Sequence, residues 1–184
     1  GLVAQCWSAA DIFLSLVDNI QETFGITPVE AMAAGLPVVV SDWDGYRYTV
    51  RDGHDGILIP TLASPGGAPG DLLAFLHSFE METYQTYVGA VAQHTAVHVQ
   101  QASAAIACLA DNPEQRRCMG RSGKKRAQEM FSWPTIVRQY KELFVELSNR
   151  RSDASPLCAY SDFKTHPFRG EPFADFRHFA THVL

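Results

Sequence analysis

The chain has 184 residues, 46% of them hydrophobic and 19% charged, which is the composition of one globular domain with an ample core. Its formal net charge of -5 and its longest basic run, Lys124–Arg126, argue against a nucleic-acid partner, because phosphate binding needs a clustered positive face. The four cysteines form no CxxC pair and indicate neither a zinc site nor a disulfide framework, which favours a reducing cytoplasm. No apolar run reaches the roughly 20 residues of a membrane span.

The first part of the chain alternates between helical and strand-like patterns. The predicted elements are a helix at 3–10, a buried strand at 12–16, a helix from Pro28 to Ala34, a strand at 38–41, one or two helical turns at 45–51 and a strand at 57–59. Thr27 is predicted as the N-cap of the second helix, and Gly35 as its C-terminal cap. This alternation predicts an α/β fold with a parallel sheet and right-handed crossovers.

The second part is predicted to be mostly helical. Residues 61–70 are rich in Pro and Gly and predict a loop, after which helical patterns run nearly to Arg151. Helices are predicted to start at Asn112–Glu114 and at Ser132–Pro134. The last helix carries an apolar stripe, interpreted as a packing face, made of Ile136, Val137, Tyr140, Leu143, Phe144 and Leu147. Residues 152–184 are expected to form an irregular tail whose aromatic side chains dock on a surface.

The segment ETFGITPVEAMAAGLP, residues 22–37, carries the candidate site. A turn between a strand and a helix offers unpaired backbone N–H groups to an anion such as phosphate, and Gly25 would allow close approach. In an open parallel sheet such a turn lies at the ligand crevice. Glu30 would then accept hydrogen bonds from ribose hydroxyls, and Glu22 would reach a second polyol, the sugar beyond the phosphates. A nucleotide diphosphate sugar has this order of groups.

Both glutamates also have simpler interpretations. Thr27-Pro28-Val29-Glu30 reads as a capping box, in which Glu30 turns back to the backbone N–H of Thr27. From the residues alone we favour this cap over the ribose contact. For Glu22 the simpler interpretation is an exposed loop acid with no role.

A family resemblance rests on this segment and its surroundings. Residues 10–60, ADIFLSLVDNIQETFGITPVEAMAAGLPVVVSDWDGYRYTVRDGHDGILIP, resemble the second half of the donor-binding domain in retaining GT-B glycosyltransferases of family 4. The shared features are two glutamates separated by seven residues, the EAMAAGLPVV stretch and a Gly-containing loop. The similarity continues over residues 99–147, with the helix start Asp111–Pro113 and the signature Phe131–Trp133.

The resemblance implies a Rossmann-like parallel sheet flanked by helices, the C-terminal half of a GT-B fold, with a helical C-terminal region. The residues that it implies at the donor are Glu22 as the catalytic residue beside the sugar, the backbone N–H groups of Phe24, Gly25, Ile26 and Thr27, and Glu30 at the ribose. The reaction would move a sugar from a nucleotide diphosphate sugar, without a metal, to a glycan or lipid-linked acceptor in envelope polysaccharide synthesis. The resemblance also implies a cytoplasmic location, with peripheral association of the parent at the inner face of the membrane.

Three features depart from the family pattern. Earlier strand and helix units, which carry an Arg and a Lys for the pyrophosphate, and the N-terminal domain that holds the acceptor are not recognisable. We therefore expect a fragment, with residues 1–151 as part of the donor-binding domain and residues 152–184 as the tail. Asp42–Tyr46 replaces the family's Gly-Gly loop, and residues 61–97 have the character of an insertion. We do not assign the pyrophosphate role to Arg47, which belongs to another element, or to its neighbour Arg51.

Other residue patterns that could indicate a metal site or a hydrolase are not assigned these functions. Asp42-Trp43-Asp44 is a DxD, which holds a divalent metal in another glycosyltransferase fold, but a three-residue pattern recurs by chance. His94 with His98, and His178 with His182, have the i, i+4 spacing of ligands on one helix face, but no third ligand is evident. No G-x-S-x-G supports a serine hydrolase.

Two rival functions remain open at this level. One is a degenerate or fragmentary GT-B-like module that mediates protein assembly without catalysis, since the missing half of the sheet would leave an exposed strand edge. The aromatic tail and the insertion would then contact the partner. The other is a different phosphosugar enzyme on a similar fold, such as an epimerase, which would leave the Phe131–Trp133 signature without an explanation.

Overall fold

The computed structural model describes residues 1–153, 170 and 172–184. In chain order the elements are α1 (Leu2–Ala9), β1 (Phe13–Ser15), α2 (Ile26–Ala34), β2 (Val38–Ser41), α3 (Tyr46–Thr49), β3 (Gly56–Ile59), β4 (Thr61–Ala63), α4 (Ala68–Ser78), α5 (Tyr84–Ala92), β5 (Thr95–Val97), α6 (Val99–Asp111), α7 (Pro113–Met130), α8 (Trp133–Asp153), α9 (Pro172–Asp175) and β6 (His182–Val183). Strands and helices alternate as far as β3, and helices dominate afterwards.

The central sheet has three parallel strands in the order β1-β2-β3. Val38 in β2 pairs with Phe13 of β1 on one side and with Gly56 of β3 on the other. Every residue of β2 is buried, as expected for a parallel strand that is covered on both faces. The predicted α/β class, a parallel sheet flanked by helices, is therefore confirmed, and the three predicted strands differ from the observed ones only at their ends.

Two hydrophobic clusters cover the two faces of this sheet. Val38 and Val40 pack with Met32 of α2 on one face. Val39 lies in the other cluster with Leu109 of α6. Neighbouring residues of β2 thus enter opposite layers, which is the period of two that a strand imposes. The sheet is held between helices, so its loops at the carboxyl ends of the strands are left free to form a site.

A second, smaller sheet joins the end of the chain to the middle. β4 is antiparallel to β5 and parallel to β6, in the order β5-β4-β6. Next to this sheet, Phe173 and Phe179 are buried in a third cluster with Trp43 and residues of α5. The predicted docking of tail aromatics is confirmed for these two side chains, whereas Phe163 and Phe168 lie outside the described residues.

Several sequence predictions of local structure were wrong. The segment 61–70, predicted as a loop, contains β4 and the start of α4, and β5 interrupts the predicted helical region. These strands are three residues long and are stabilised by pairing with distant parts of the chain, which local patterns do not reveal. The tail contains α9 and β6, so residues 172–184 are not irregular throughout.

The last long helix leaves much of its apolar stripe uncovered. In α8, Tyr140 is 55% exposed and Phe144 is 62% exposed, and no residue of the helix is buried. The predicted packing face therefore has no extensive cover within the described residues. Among the helices that the structure describes, none is both long enough and apolar enough to cross a lipid bilayer.

Candidate functional site

The candidate site lies at the carboxyl ends of the parallel strands. The chain leaves β1 at Ser15 and β2 at Ser41, and because the strands are parallel, both connections begin at the same edge of the sheet. The loops touch each other there, since the indole N–H of Trp43 donates to the carbonyl oxygen of Asn19 at 3.0 Å. The segment between β1 and α2 therefore contacts the segment after β2 at this edge of the sheet.

The turn into α2 is built on Gly25. This residue is the N-cap and has a left-handed backbone, with φ of 81°. A Cβ at Gly25 would lie 2.2 Å from Cε1 of the Tyr46 ring, so a side chain there would be strained and would also collide with the tyrosine. The glycine is required by this packing, a reason that differs from the predicted close approach of an anion.

The predicted N-cap at Thr27 was wrong. The helix begins at Ile26, and the side chain of Thr27 makes no capping hydrogen bond. Left-handed Gly25 starts the helix earlier than the Thr27-Pro28 signal indicated, so Glu30 is its fifth residue and lies beyond the first turn. The capping box is therefore absent, and the simpler interpretation of Glu30 is contradicted.

Glu30 is exposed at the side of the helix start. Within the part of the chain that the structure describes, its carboxylate has no ion pair and no hydrogen bond to a side chain. It borders a groove of about 860 Å³ between the start of α2 and α8, lined also by Phe24, Ile26, Val29, Phe131, Trp133, Ile136, Gln139, Tyr140 and Leu143. A carboxylate in this position is available to accept hydrogen bonds from a ligand.

Glu22 is half-buried and bonded to its own loop. Its Oε1 accepts a hydrogen bond from the backbone N–H of Gly25 at 2.9 Å and a longer one from that of Phe24 at 3.4 Å. Its Oε2 accepts from the hydroxyl of Tyr46 at 3.4 Å. Glu22 is therefore not the partnerless exposed acid of the simpler interpretation. Two of the N–H groups predicted to contact the donor are engaged by this carboxylate.

The loop after β2 is fixed by a cluster of charges and carbonyls. Arg47 pairs with the carboxylate of Asp42 and donates to the carbonyl oxygen of Phe179 at 2.9 Å. The other carboxylate oxygen of Asp42 accepts from the hydroxyl of Thr181. Because both oxygens of Asp42 are bound, this side chain connects the loop after β2 to Thr181, near the C-terminal end of the chain. Arg47 serves the same contact, in keeping with its exclusion as a pyrophosphate ligand.

Asp44 is the other acid of the DxD. Burial raises its pKa, and the charges of His178 and Arg47 act in the opposite direction without cancelling the effect of burial. The described residues hold no cluster of three or more His, Cys, Asp or Glu side chains that fits a metal ion. The two histidine pairs do not lie on single helices either: His94 precedes β5 and His98 is the N-cap of α6.

Gly45 packs closely against the backbone of the Glu22 loop. A Cβ at this residue would lie 2.0 Å from the carbonyl oxygen of Thr23, so Gly45→Ala must displace the Glu22 loop. We expect this change to lower the free energy of unfolding by about 1–3 kcal/mol, the cost of overpacking, in a urea titration. Gly89→Ala is the control, because a Cβ there meets nothing within 4 Å and alanine favours a helix. Equal stability of the two variants would contradict the close packing of Gly45 against Thr23.

Two residues of this site were missed from the sequence. Tyr46 and Ser15 form a hydrogen bond of 3.1 Å beneath the Glu22 loop, although they are far apart in the chain. Ser15 is the last residue of β1 and Tyr46 lies in the segment after β2, so both are at the carboxyl edge of the sheet, which is the one signal that placed them near each other. Nothing in the local pattern singled out their hydroxyl groups.

The fold is an α/β domain with a crevice at the carboxyl edge of its parallel sheet, the position at which open α/β sheets commonly bind ligands. Residues 2–81 match the family model of the glycosyl transferases group 1, which bears out the predicted resemblance to glycosyltransferases. The chain is 53% identical over 74 residues to phosphatidyl-myo-inositol mannosyltransferase of Mycobacterium leprae, covering 40% of this chain and 19% of that protein.

Longer but weaker similarities extend beyond the matched segment. The chain is 26% identical over 146 residues to alpha-maltose-1-phosphate synthase of Mycolicibacterium smegmatis, covering 79% of this chain and 30% of that protein. Among solved structures, sucrose-phosphate synthase from Thermosynechococcus elongatus matches with a TM-score of 0.52 and 26% identity, over 81% of this chain and 28% of that one. The chain thus spans less than a third of the length of each of these proteins.

Proposed function

We propose that this chain binds the nucleotide diphosphate sugar donor of a retaining glycosyltransferase of family 4. The observation that carries the proposal is the exposed carboxylate of Glu30, which has no side-chain partner among the described residues and lies beside the start of α2, at the carboxyl edge of a parallel sheet. Two neighbouring ribose hydroxyls would donate to this carboxylate, and the helix N-terminus beside it suits the diphosphate.

The turn before the helix would meet the phosphates and the sugar. The first N–H groups of a helix have no partner within it, so those of Ile26 and Thr27 are available to oxygen atoms of the diphosphate. The N–H groups of Phe24 and Gly25 would become available when Glu22 turns toward the ligand, since the carboxylate and a phosphate compete for the same donors. The positive end of the helix dipole favours the anion.

Glu22 is the proposed catalytic residue. Its carboxylate would help to position the sugar and would stabilise the positive charge that develops in an oxocarbenium-like transition state. The negative charge of the leaving diphosphate would be met by the helix N-terminus and by cations outside this chain. We propose that no metal is needed, a view supported by the engagement of both Asp42 oxygens with Arg47 and Thr181.

The complete enzyme is proposed to act on a glycan or lipid-linked acceptor in envelope polysaccharide synthesis. Similar proteins include a phosphatidyl-myo-inositol mannosyltransferase and a D-inositol 3-phosphate glycosyltransferase, which supports hexosyl transfer as the reaction class. We further propose an N-terminal GT-B domain as the partner that holds the acceptor, and a cytoplasmic location at the inner face of the membrane.

The first experiment is calorimetric titration of UDP-, GDP- and ADP-sugars into the full-length protein and its Glu30→Gln variant. We expect one nucleotide to bind and the variant to bind it about tenfold or more weakly, because hydrogen bonds to a charged carboxylate are lost. Glu114→Gln is the control, since this exposed acid lies in the first turn of another helix, α7. Unchanged affinity in Glu30→Gln would overturn the ribose role.

A second candidate is a non-catalytic module that mediates assembly. The exposed apolar stripe of α8 and the exposed Leu14 in β1 favour it, because both are surfaces that a partner protein would cover. Light scattering of the same protein separates the candidates: assembly without binding of any nucleotide sugar would favour the module, and nucleotide binding would favour the donor site.

A further inference from the structure

We propose that Tyr46 is a positioning residue for Glu22, acting through a chain of hydroxyl groups from Ser15 to Tyr46 to the carboxylate. The inference rests on the proposed catalytic role of Glu22. Tyr46 occupies the segment in which this chain departs from the family's Gly-Gly loop, so its role is not implied by the resemblance. It adds to the site a residue that does not itself touch the donor.

The chain of hydroxyls has a single consistent direction. A carboxylate only accepts hydrogen bonds, so at 3.4 Å from Glu22 Oε2 the Tyr46 hydroxyl must be the donor. Its oxygen then accepts from Ser15 Oγ at 3.1 Å, which leaves both hydroxyl groups paired. Burial, and then the nearby charge of Glu22, raise the pKa of the Tyr46 phenol against the opposite effect of Ser15, so the donor stays protonated.

The ring of Tyr46 is held in place independently of its hydroxyl. The residue is 1% exposed and packs in the cluster on the α2 face of the sheet. Gly25 provides the space for the ring, as the 2.2 Å separation from a hypothetical Cβ shows. A phenylalanine would therefore keep the packing and lose only the two hydrogen bonds of the hydroxyl, to Glu22 and from Ser15. The hydroxyl points from a rigid element to a loop, which is the arrangement that positions a functional group.

The two oxygens of Glu22 have different anchors. Oε1 is bonded to the loop that carries Glu22, whereas Oε2 is bonded to Tyr46 on α3. When a donor takes the N–H groups of the loop, the Tyr46 hydroxyl remains as the anchor of the carboxylate. It would then set the direction from which Glu22 faces the sugar, and the loss of this anchor would affect the reaction more than the binding of the nucleotide.

The test compares Tyr46→Phe with Tyr48→Phe in the full-length protein. Tyr48 is the matched control, because it lies in the same short helix and is 75% exposed. The substrate is the nucleotide sugar that binds in the titration above, water accepts the sugar in this assay, and the measured product is the nucleoside diphosphate. For Tyr46→Phe we expect kcat to fall about 10- to 100-fold, the range for residues that orient a functional group, with KM and the Kd of the nucleoside diphosphate within about threefold. Tyr48→Phe should match the wild type.

A measurement without donor checks the hydrogen-bond chain itself. The amide proton of Gly25, which is bonded to Glu22, should shift in the NMR spectrum of Tyr46→Phe and stay in place in Tyr48→Phe. A smaller shift in the same direction is expected for Ser15→Ala. An unmoved Gly25 signal, or a wild-type kcat in Tyr46→Phe, overturns this inference alone. A wild-type protein that neither binds nor turns over any of the nucleotide sugars overturns the proposed function and this inference together.

Discussion

Replacement of Glu22 by glutamine is expected to lower the turnover of the nucleotide sugar by about 10²–10³-fold, the usual effect of removing one group that stabilises transition-state charge. The substitution keeps the shape of the side chain. Its amide oxygen still accepts from the Gly25 N–H, so the turn before α2 keeps its main contact. The measurement is release of nucleoside diphosphate from the donor under saturating conditions.

The affinity for the nucleoside diphosphate should not fall in Glu22→Gln. In the structure the carboxylate occupies N–H groups that the phosphates would use, so removing its charge relieves repulsion between two anions at one helix N-terminus. Turnover and affinity therefore move independently in this variant. Glu30→Gln is the complementary control, since it should weaken nucleotide binding.

A parallel loss of turnover and of nucleoside diphosphate affinity would contradict the catalytic role. Such a result would mean that Glu22 only stabilises the loop, a role that its hydrogen bonds to Phe24 and Gly25 also allow. Glu22→Asp separates these possibilities further. It keeps the charge and shortens the side chain by one methylene, so an electrostatic role tolerates it only if the carboxylate still reaches Tyr46.

The sequence predicted the central sheet well because its signals are local. A short apolar run such as 38–41 has the length and composition of a strand buried on both faces, and the structure has this strand with every residue buried. Gly35 was correctly predicted as the C-terminal cap, and it adopts the left-handed conformation with φ of 88°. Asn112 was correctly predicted as a helix start, where its side chain accepts from the Gln115 N–H at 3.0 Å.

The start of α2 was mispredicted because two signals competed. Thr27 followed by Pro28 is a good local start, but the left-handed Gly25 begins the helix earlier. The Tyr46 ring, which belongs to another element, leaves no room for a side chain at Gly25. The family resemblance, and not the capping pattern, gave the better indication that Glu30 is free of a capping role.

Contacts between distant segments were beyond the sequence patterns. In the sequence, Asp42 belongs to a DxD pattern that is typical of metal sites. In the structure its carboxylate is bound by Arg47 and by Thr181, which lies near the C-terminal end of the chain. The strand β6 exists because it pairs with β4, far from it in the sequence. Similarly, the helical periodicity of α8 identifies its apolar face, but it does not predict which part of the protein covers that face.

Replacement of Asp55 by asparagine is expected to lower the free energy of unfolding by about 3 kcal/mol, the scale for breaking a buried ion pair. Asp55 is fully buried and accepts two hydrogen bonds of 2.8 Å from the guanidinium of Arg51. A third bond of 2.8 Å comes from Ser122 of α7, so the carboxylate joins the entry of β3 to that helix. The asparagine NH₂ group would face these donors and leave them unpaired.

The matched control for the charge change is Glu146→Gln. Glu146 forms an ion pair with Arg150 on α8, but both side chains are more than half exposed. Pairs of this kind contribute about 0–1 kcal/mol, so the control should unfold nearly as the wild type in urea. Similar losses in both variants would show that the burial of Asp55 adds nothing.

The effect of Asp55 should also depend on pH. Burial alone would raise its pKa, but the hydrogen bonds from Arg51 and Ser122 outweigh burial and hold the pKa below 3.8. The unfolded chain thus binds this proton more readily, so the contribution to stability is complete above a pH of about 5, where the unfolded carboxyl is also ionised, and is lost as the pH falls through the folded pKa. The difference in unfolding free energy between wild type and Asp55→Asn should therefore be constant from neutral pH to about pH 5 and shrink at lower pH. A difference that does not shrink in acid would contradict the assignment of this stabilisation to the ionised carboxylate.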